Sequence, residues 1–172
     1  MSVARLLPLF AVLVLDACSP ALNWREVRPE GSGAVAMFPC KPSHEVRHLV
    51  LAGVPLEMAV VACHAADAMY GLGYADVGDP ARVAPALQAL AQAAGANLGA
   101  ASADAPLQVP GMTPQPAAQA LSLKGTLPDG RSVQGRVAVF AKGTRVYQAT
   151  VFGPQLEADA LDTFFGGLRL QS

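Results

Sequence analysis

The sequence is poor in charge, poor in aromatic residues and free of the motifs that mark common catalytic sites. Charged residues make up 15% of 172, with 12 basic against 13 acidic. So even a balance leaves no basic stripe for nucleic acid and no like-charge block of the kind that forms a solvated tail. Histidine occurs three times, at positions 44, 48 and 64. On one strand His44 and His48 would stand about 13 Å apart, too far for a single ion, so they read as solvated surface residues and no metal site is expected. No G-x-S-x-G stretch occurs, and Gly130-Arg131-Ser132 lacks its context. Gly71-Leu72-Gly73 is a lone glycine pair, read as an irregularity in a strand rather than a phosphate loop. No catalytic residue and no cofactor is assigned, and the chain is not expected to be an enzyme.

The apolar run Leu6–Leu15 has ten residues, well short of the roughly 20 that a spanning helix needs. One positive charge, Arg5, precedes it, and the chain turns polar at Ser19-Pro20. These are the parts of a secretory signal. Its end, Leu13-Val14-Leu15-Asp16-Ala17-Cys18, resembles the lipobox of bacterial lipoproteins, with Leu three before the cysteine and a small residue just before it. Asp16 departs from that pattern, which has a small uncharged residue there. The resemblance implies removal of residues 1–17, lipid attachment at Cys18, a tether over 18–23 and a single domain over 24–172. Acyl chains anchor through buried CH₂ groups, each worth about 0.8 kcal/mol. Ser19, by resemblance to enterobacterial sorting, favours the periplasmic face of the outer membrane. The alternative is an ordinary signal cleaved after Ala17 or Ala21.

Three cysteines are an odd number. With Cys18 taken by lipid, Cys40 and Cys63 remain, and an oxidising compartment favours their disulfide over two separate buried thiols. Strands are expected at 24–28, 34–38, 45–51, 54–63 and 69–77. Ala52-Gly53 reads as a two-residue hairpin loop, and facing residues then sum to 105. Residue 63 would face 42, two positions from Cys40, so a bend near Lys41-Pro42 is needed to bring the pair within about 7 Å.

Asp79-Pro80 reads as a helix start, followed by a stripe of Val83, Leu87, Leu90, Ala94 and Leu98. Pro85 conflicts with it, so the helix either begins near Ala84 or kinks in its first turns. Residues 99–117 read as a Pro- and Gly-rich loop with a short strand at 107–109, and a loop so long is usually functional or mobile. Strands at 118–125, 132–140 and 145–152 follow, with a tight turn at 127–130, then a helix at 155–165 stopped by Gly166-Gly167 and a short segment at 168–170.

The expected class is α+β, with antiparallel β-meanders forming a sheet flanked by a long helix and a C-terminal helix. Phe38-Pro39, the Asp79-Pro80 helix start, Val146-Tyr147-Gln148-Ala149 and the closing Phe164-Phe165-Gly166-Gly167-Leu168-Arg169-Leu170 resemble PsbP-type proteins and the related Ran-binding import factor. The resemblance extends to proteobacterial lipoproteins of the same shape. It implies an α/β/α sandwich and carries no single chemistry. The function expected is binding, as an accessory or assembly subunit held at the membrane by its lipid, with an unidentified protein partner and the oligomeric state open. The alternative is a periplasmic carrier of a small molecule or lipid, with a pocket between helix 79–98 and the sheet. A wide apolar cavity there would favour the carrier, and a flat exposed patch near 99–117 the partner. Tyr70, Tyr74, Tyr147 and Phe140 either line a groove or pack in the core.

Overall fold

The computed structural model describes residues 22–98, 100–103, 107–127 and 129–171. The signal segment 1–17, Cys18 and most of the tether lie outside the described residues. So does Pro128 of the turn expected at 127–130.

The chain is α+β, with antiparallel pairing throughout its described strands. After β1 (Arg25–Val27) and β2 (Ala34–Phe38) come β3 (Ser43–Leu51), β4 (Val54–Ala65) and β5 (Ala68–Asp76). Helix α1 (Pro80–Leu98) leads to β6 (Ala100–Ala103), β7 (Gln119–Thr126), β8 (Ser132–Lys142) and β9 (Arg145–Gly153). Helix α2 (Ala158–Gly166) and β10 (Arg169–Leu170) close the chain. The strands form two sheets rather than the single sheet expected: a seven-stranded sheet ordered β3-β4-β5-β9-β8-β7-β6, and a three-stranded sheet ordered β1-β2-β10.

Alternation sorts the large sheet's side chains onto two cores. On one face Val137, Val139 and Val146 pack under α1 with Val83, Leu87 and Leu90 of the expected stripe. On the other, Phe140, Tyr147, Tyr70 and Leu72 pack against Phe38 of the small sheet and Phe164 of α2. Aromatic edges lock this second layer, with the Phe164 ring centroid 5.4 Å from Phe38 and 5.5 Å from Tyr70. All four aromatics weighed as groove residues are therefore core residues. The layers run α1, large sheet, then small sheet with α2.

Local chemistry sets the boundaries. Ala52 and Gly53 have φ of 50° and 80°, the left-handed pair of a tight hairpin turn. Leu51 faces Val54 and Ser43 faces Ala62, the register that sums to 105. Asp79 caps α1, its Oδ1 accepting the Ala81 N–H at 2.8 Å. The helix runs from Pro80 through Pro85, whose ring is exposed, so it does not wait for Ala84. Helix α2 starts at Ala158 rather than 155, because the chain leaves β9 through Gly153-Pro154 and reaches its cap only at Glu157.

Segment 99–117 differs from expectation in two ways. Ala100–Ala103 pairs with β7 as an edge strand, and residues 107–109 form no strand. From Leu107 onward the segment is strapped to the body. Pro110 C=O accepts the Leu170 N–H at 2.8 Å, and Ala141 C=O accepts the Thr113 N–H at 2.8 Å. At Gly111, with φ of 83°, an added Cβ would sit 2.3 Å from the Leu170 oxygen, so only glycine fits this crossing.

Candidate functional site

Cys40 and Cys63 are bonded, with Cα atoms 6.0 Å apart. The chain between β2 and β3 bends past Pro39 and Pro42, which supplies the two-position offset left by the hairpin register. The link ties the end of the small sheet to β4. His44, His48 and His64 are all exposed. His48 Nδ1 lies 3.5 Å from a Glu57 oxygen on the neighbouring strand, a solvated pair that forms an ion pair only when the imidazole is protonated. Among the described residues no group of three His, Cys, Asp or Glu side chains is placed to hold a metal ion. No described helix is long and apolar enough to cross a membrane.

The feature with the geometry of a binding site is a groove of about 530 Å³ between α1 and the β3-β4-β5-β9 half of the large sheet. Glycine makes its floor. On β5 alternation points residues 69, 71, 73 and 75 toward α1, and Gly71 and Gly73 contribute no side chain. Their neighbours are small or pliant: a Cβ at Gly71 would meet Met69 Sδ at 3.6 Å, and one at Gly73 would meet Met58 Sδ at 3.1 Å. The helix contributes Ala89, Ala93 and Ala94 above this floor, with Leu90 beside them. Small residues on both layers leave a gap that a well-packed core would fill. Leu49, Val60 and Phe152 supply apolar walls.

Two polar side chains break that lining. Gln148 and Thr150 on β9 face Gly73 and Gly71 across the ladder and so share the groove's face. The Gln148 amide nitrogen lies 3.5 Å from the Thr150 hydroxyl, at the outer limit of a hydrogen bond. Thr150 is one of only two buried polar residues among those described. The remaining polar contribution is Arg47, exposed at the rim and paired with Glu45, whose carboxylate accepts from its Nε at 2.6 Å. The groove thus offers apolar surface, a loosely engaged amide–hydroxyl pair and one peripheral cation. Such a set can hold and orient a molecule; it contains no nucleophile paired with a base.

The carrier alternative alone expects a pocket between helix 79–98 and the sheet; the groove lies in that place, and the sequence names none of its residues. Gly71 and Gly73 were legible as an irregularity, and their shared parity with Met69 was the available signal for a bare patch on one face. Gln148 and Thr150, polar at alternate positions in a strand otherwise rich in Val, Ala and Phe, were the second. Neither scanning against protein-family models nor comparison with curated proteins finds a match to this chain.

Proposed function

We propose that this chain is a lipid-anchored envelope protein that acts by binding, and that it takes a small apolar or amphipathic molecule into the groove beneath α1. The observation that carries the binding reading is the groove itself. Its volume of about 530 Å³ falls among ligand sites of roughly 300–1,000 Å³, and it combines apolar walls with a few convergent polar groups, as such sites do. The accessory-subunit reading looks to segment 99–117 for its contact surface; residues 107–117 are strapped onto β8 and β10 by backbone hydrogen bonds, yet most of them stay exposed, so the groove carries the ligand reading without removing that surface. The element order and the helix on each side of the large sheet support a PsbP-like sandwich. The signal-like run and Cys18 support the anchor, and Ser19, by resemblance to enterobacterial sorting, supports the periplasmic face of the outer membrane.

The ligand reading is tested by filling the floor. A Cβ at Gly71 makes only ordinary contacts of 3.6 Å and more, so Gly71→Ala should fold, and Gly71→Val, its folding checked by a cooperative melt, carries two further methyls into the groove. An environment-sensitive apolar dye such as 1-anilinonaphthalene-8-sulfonate should bind the parent chain and lose at least roughly tenfold in affinity in the variant. Equal affinity in both would remove the groove as the site. The anchor is tested separately by the intact mass of membrane-extracted protein: a diacylglyceryl group plus an acyl chain is expected, absent in Cys18→Ala. An unmodified, freely soluble chain cut near Ala17 or Ala21 would overturn it.

A further inference from the structure

The two edges of the large sheet are unlike. At one, β6 has four residues, a short edge of the kind that discourages pairing. At the other, β3 has nine, and among the described residues no strand pairs with its outer side. β3 carries Val46 and Val50, 51% and 68% exposed, the exposed large hydrophobics of the described chain. We infer that β3 pairs antiparallel with β3 of a second copy, in the register that sets Val46 opposite Val46, joining the two sheets across a two-fold axis.

Backbone parity comes first. A two-residue loop is closed by a hydrogen-bonded pair, here Leu51 and Val54, and such pairs alternate along the ladder. Leu49, Arg47, Glu45 and Ser43 therefore spend their N–H and C=O groups on β4. Those of His44, Val46, His48 and Val50 point to the open edge. A two-fold axis at Val46 joins these outward groups to their counterparts, Val46 with Val46 and His44 with His48.

Charge then selects the register. Glu45 and Arg47 project from the same face, two residues apart, with opposite signs. With the axis at Val46, Glu45 of each copy faces Arg47 of the other in a non-hydrogen-bonded pair, where side chains approach most closely. Moving the axis to Arg47 sets Arg47 against itself, and moving it to Glu45 sets Glu45 against itself; like charges directly opposite are unfavourable. An axis at His48 leaves both charges facing leucines. Only the Val46 axis matches all four charges while bringing two exposed valines together. Ser43 then faces Leu49, and Pro42, lacking an N–H, ends the ladder there.

Cysteine crosslinking in the full chain tests this. Cα atoms of a hydrogen-bonded pair lie about 5.5 Å apart, within disulfide reach, so Val46→Cys should form a covalent dimer under mild oxidation. Val50→Cys is at least as exposed, yet its symmetry mate would lie about 27 Å away, eight positions along the strand, and it should not crosslink above the parent chain. Glu45→Arg or Arg47→Glu, added to Val46→Cys, should each slow crosslinking roughly tenfold by opposing like charges. The double swap Glu45→Arg with Arg47→Glu should restore it, which also rules out a folding defect in the single swaps. Equal crosslinking at 46 and 50, none above parent at 46, or no recovery in the double swap would each overturn the proposal.

Discussion

Ser32 is fully buried inside a surface turn, and its neighbours explain why. Its hydroxyl donates to Pro29 C=O at 2.7 Å and accepts the Ala34 N–H at 2.9 Å. Its carbonyl accepts the Tyr147 hydroxyl at 2.6 Å, while Tyr74 donates to Glu30 C=O at 2.7 Å. Two phenols from the large sheet thus pin the turn that starts β2. Tyr147→Phe should cost about 1–2 kcal/mol, read from denaturant melts at neutral pH. Burial raises the Tyr147 pKa above its ordinary 10.0. A raised folded-state pKa contributes stability that is complete below the unfolded value and lost as pH rises through the folded one. The parent should therefore lose stability upward from about pH 10, and Tyr147→Phe should lose less; an equal alkaline loss would show that Tyr147 does not contribute to it. The sequence marks Pro29–Gly33 as a turn by composition. That its serine is an interior group depends on tyrosines more than 40 positions away, which no local pattern reveals.

At the scale of elements, the β3–β4 hairpin was the most readable part, because a two-residue loop by itself fixes which residues face one another. The same turn recurs between β4 and β5, where Ala66 and Asp67 have φ of 48° and 60°. Alanine is a poor choice for that conformation, since its Cβ crowds the backbone, whereas asparagine tolerates it. Ala52→Asn should raise stability by about 0.5–1 kcal/mol, measured as a shift in denaturant midpoint with unchanged slope; a lower midpoint would contradict the turn geometry. The small sheet was not readable. β1 and β2 were recognised as strands, but pairing β10 with β2 joins residues such as Leu170 and Ala34, and a two-residue strand has no period to show. Segment 99–117 shows the same limit: Ala100–Ala103 is Ala-Ala-Ser-Ala, with neither alternation nor β-branched residues to mark a strand, and it pairs along the edge of β7.

For the whole molecule, the cysteines were the sharpest signal: setting Cys18 aside as the expected lipid site leaves Cys40 and Cys63, and the hairpin register puts them two positions out of step, a gap that the bend between β2 and β3 closes. The disulfide encloses the β3–β4 hairpin, with a sequence separation of 23. A closed loop of this size is worth about 3 kcal/mol in the chain-entropy model, so replacing both cysteines by serine should lower unfolding stability by about that amount, while a change within error would show that the layers hold without the link. The placement of β2 between the first and last of the described strands has a mechanical consequence. Arg25 pairs with Phe38 at one end of β2 and Leu170 with Ala34 at the other. Tension applied between the two ends of the domain therefore drags β1 and β10 in opposite directions along β2. The ladder is loaded in shear, all its bonds sharing the force together, rather than being unzipped one bond at a time.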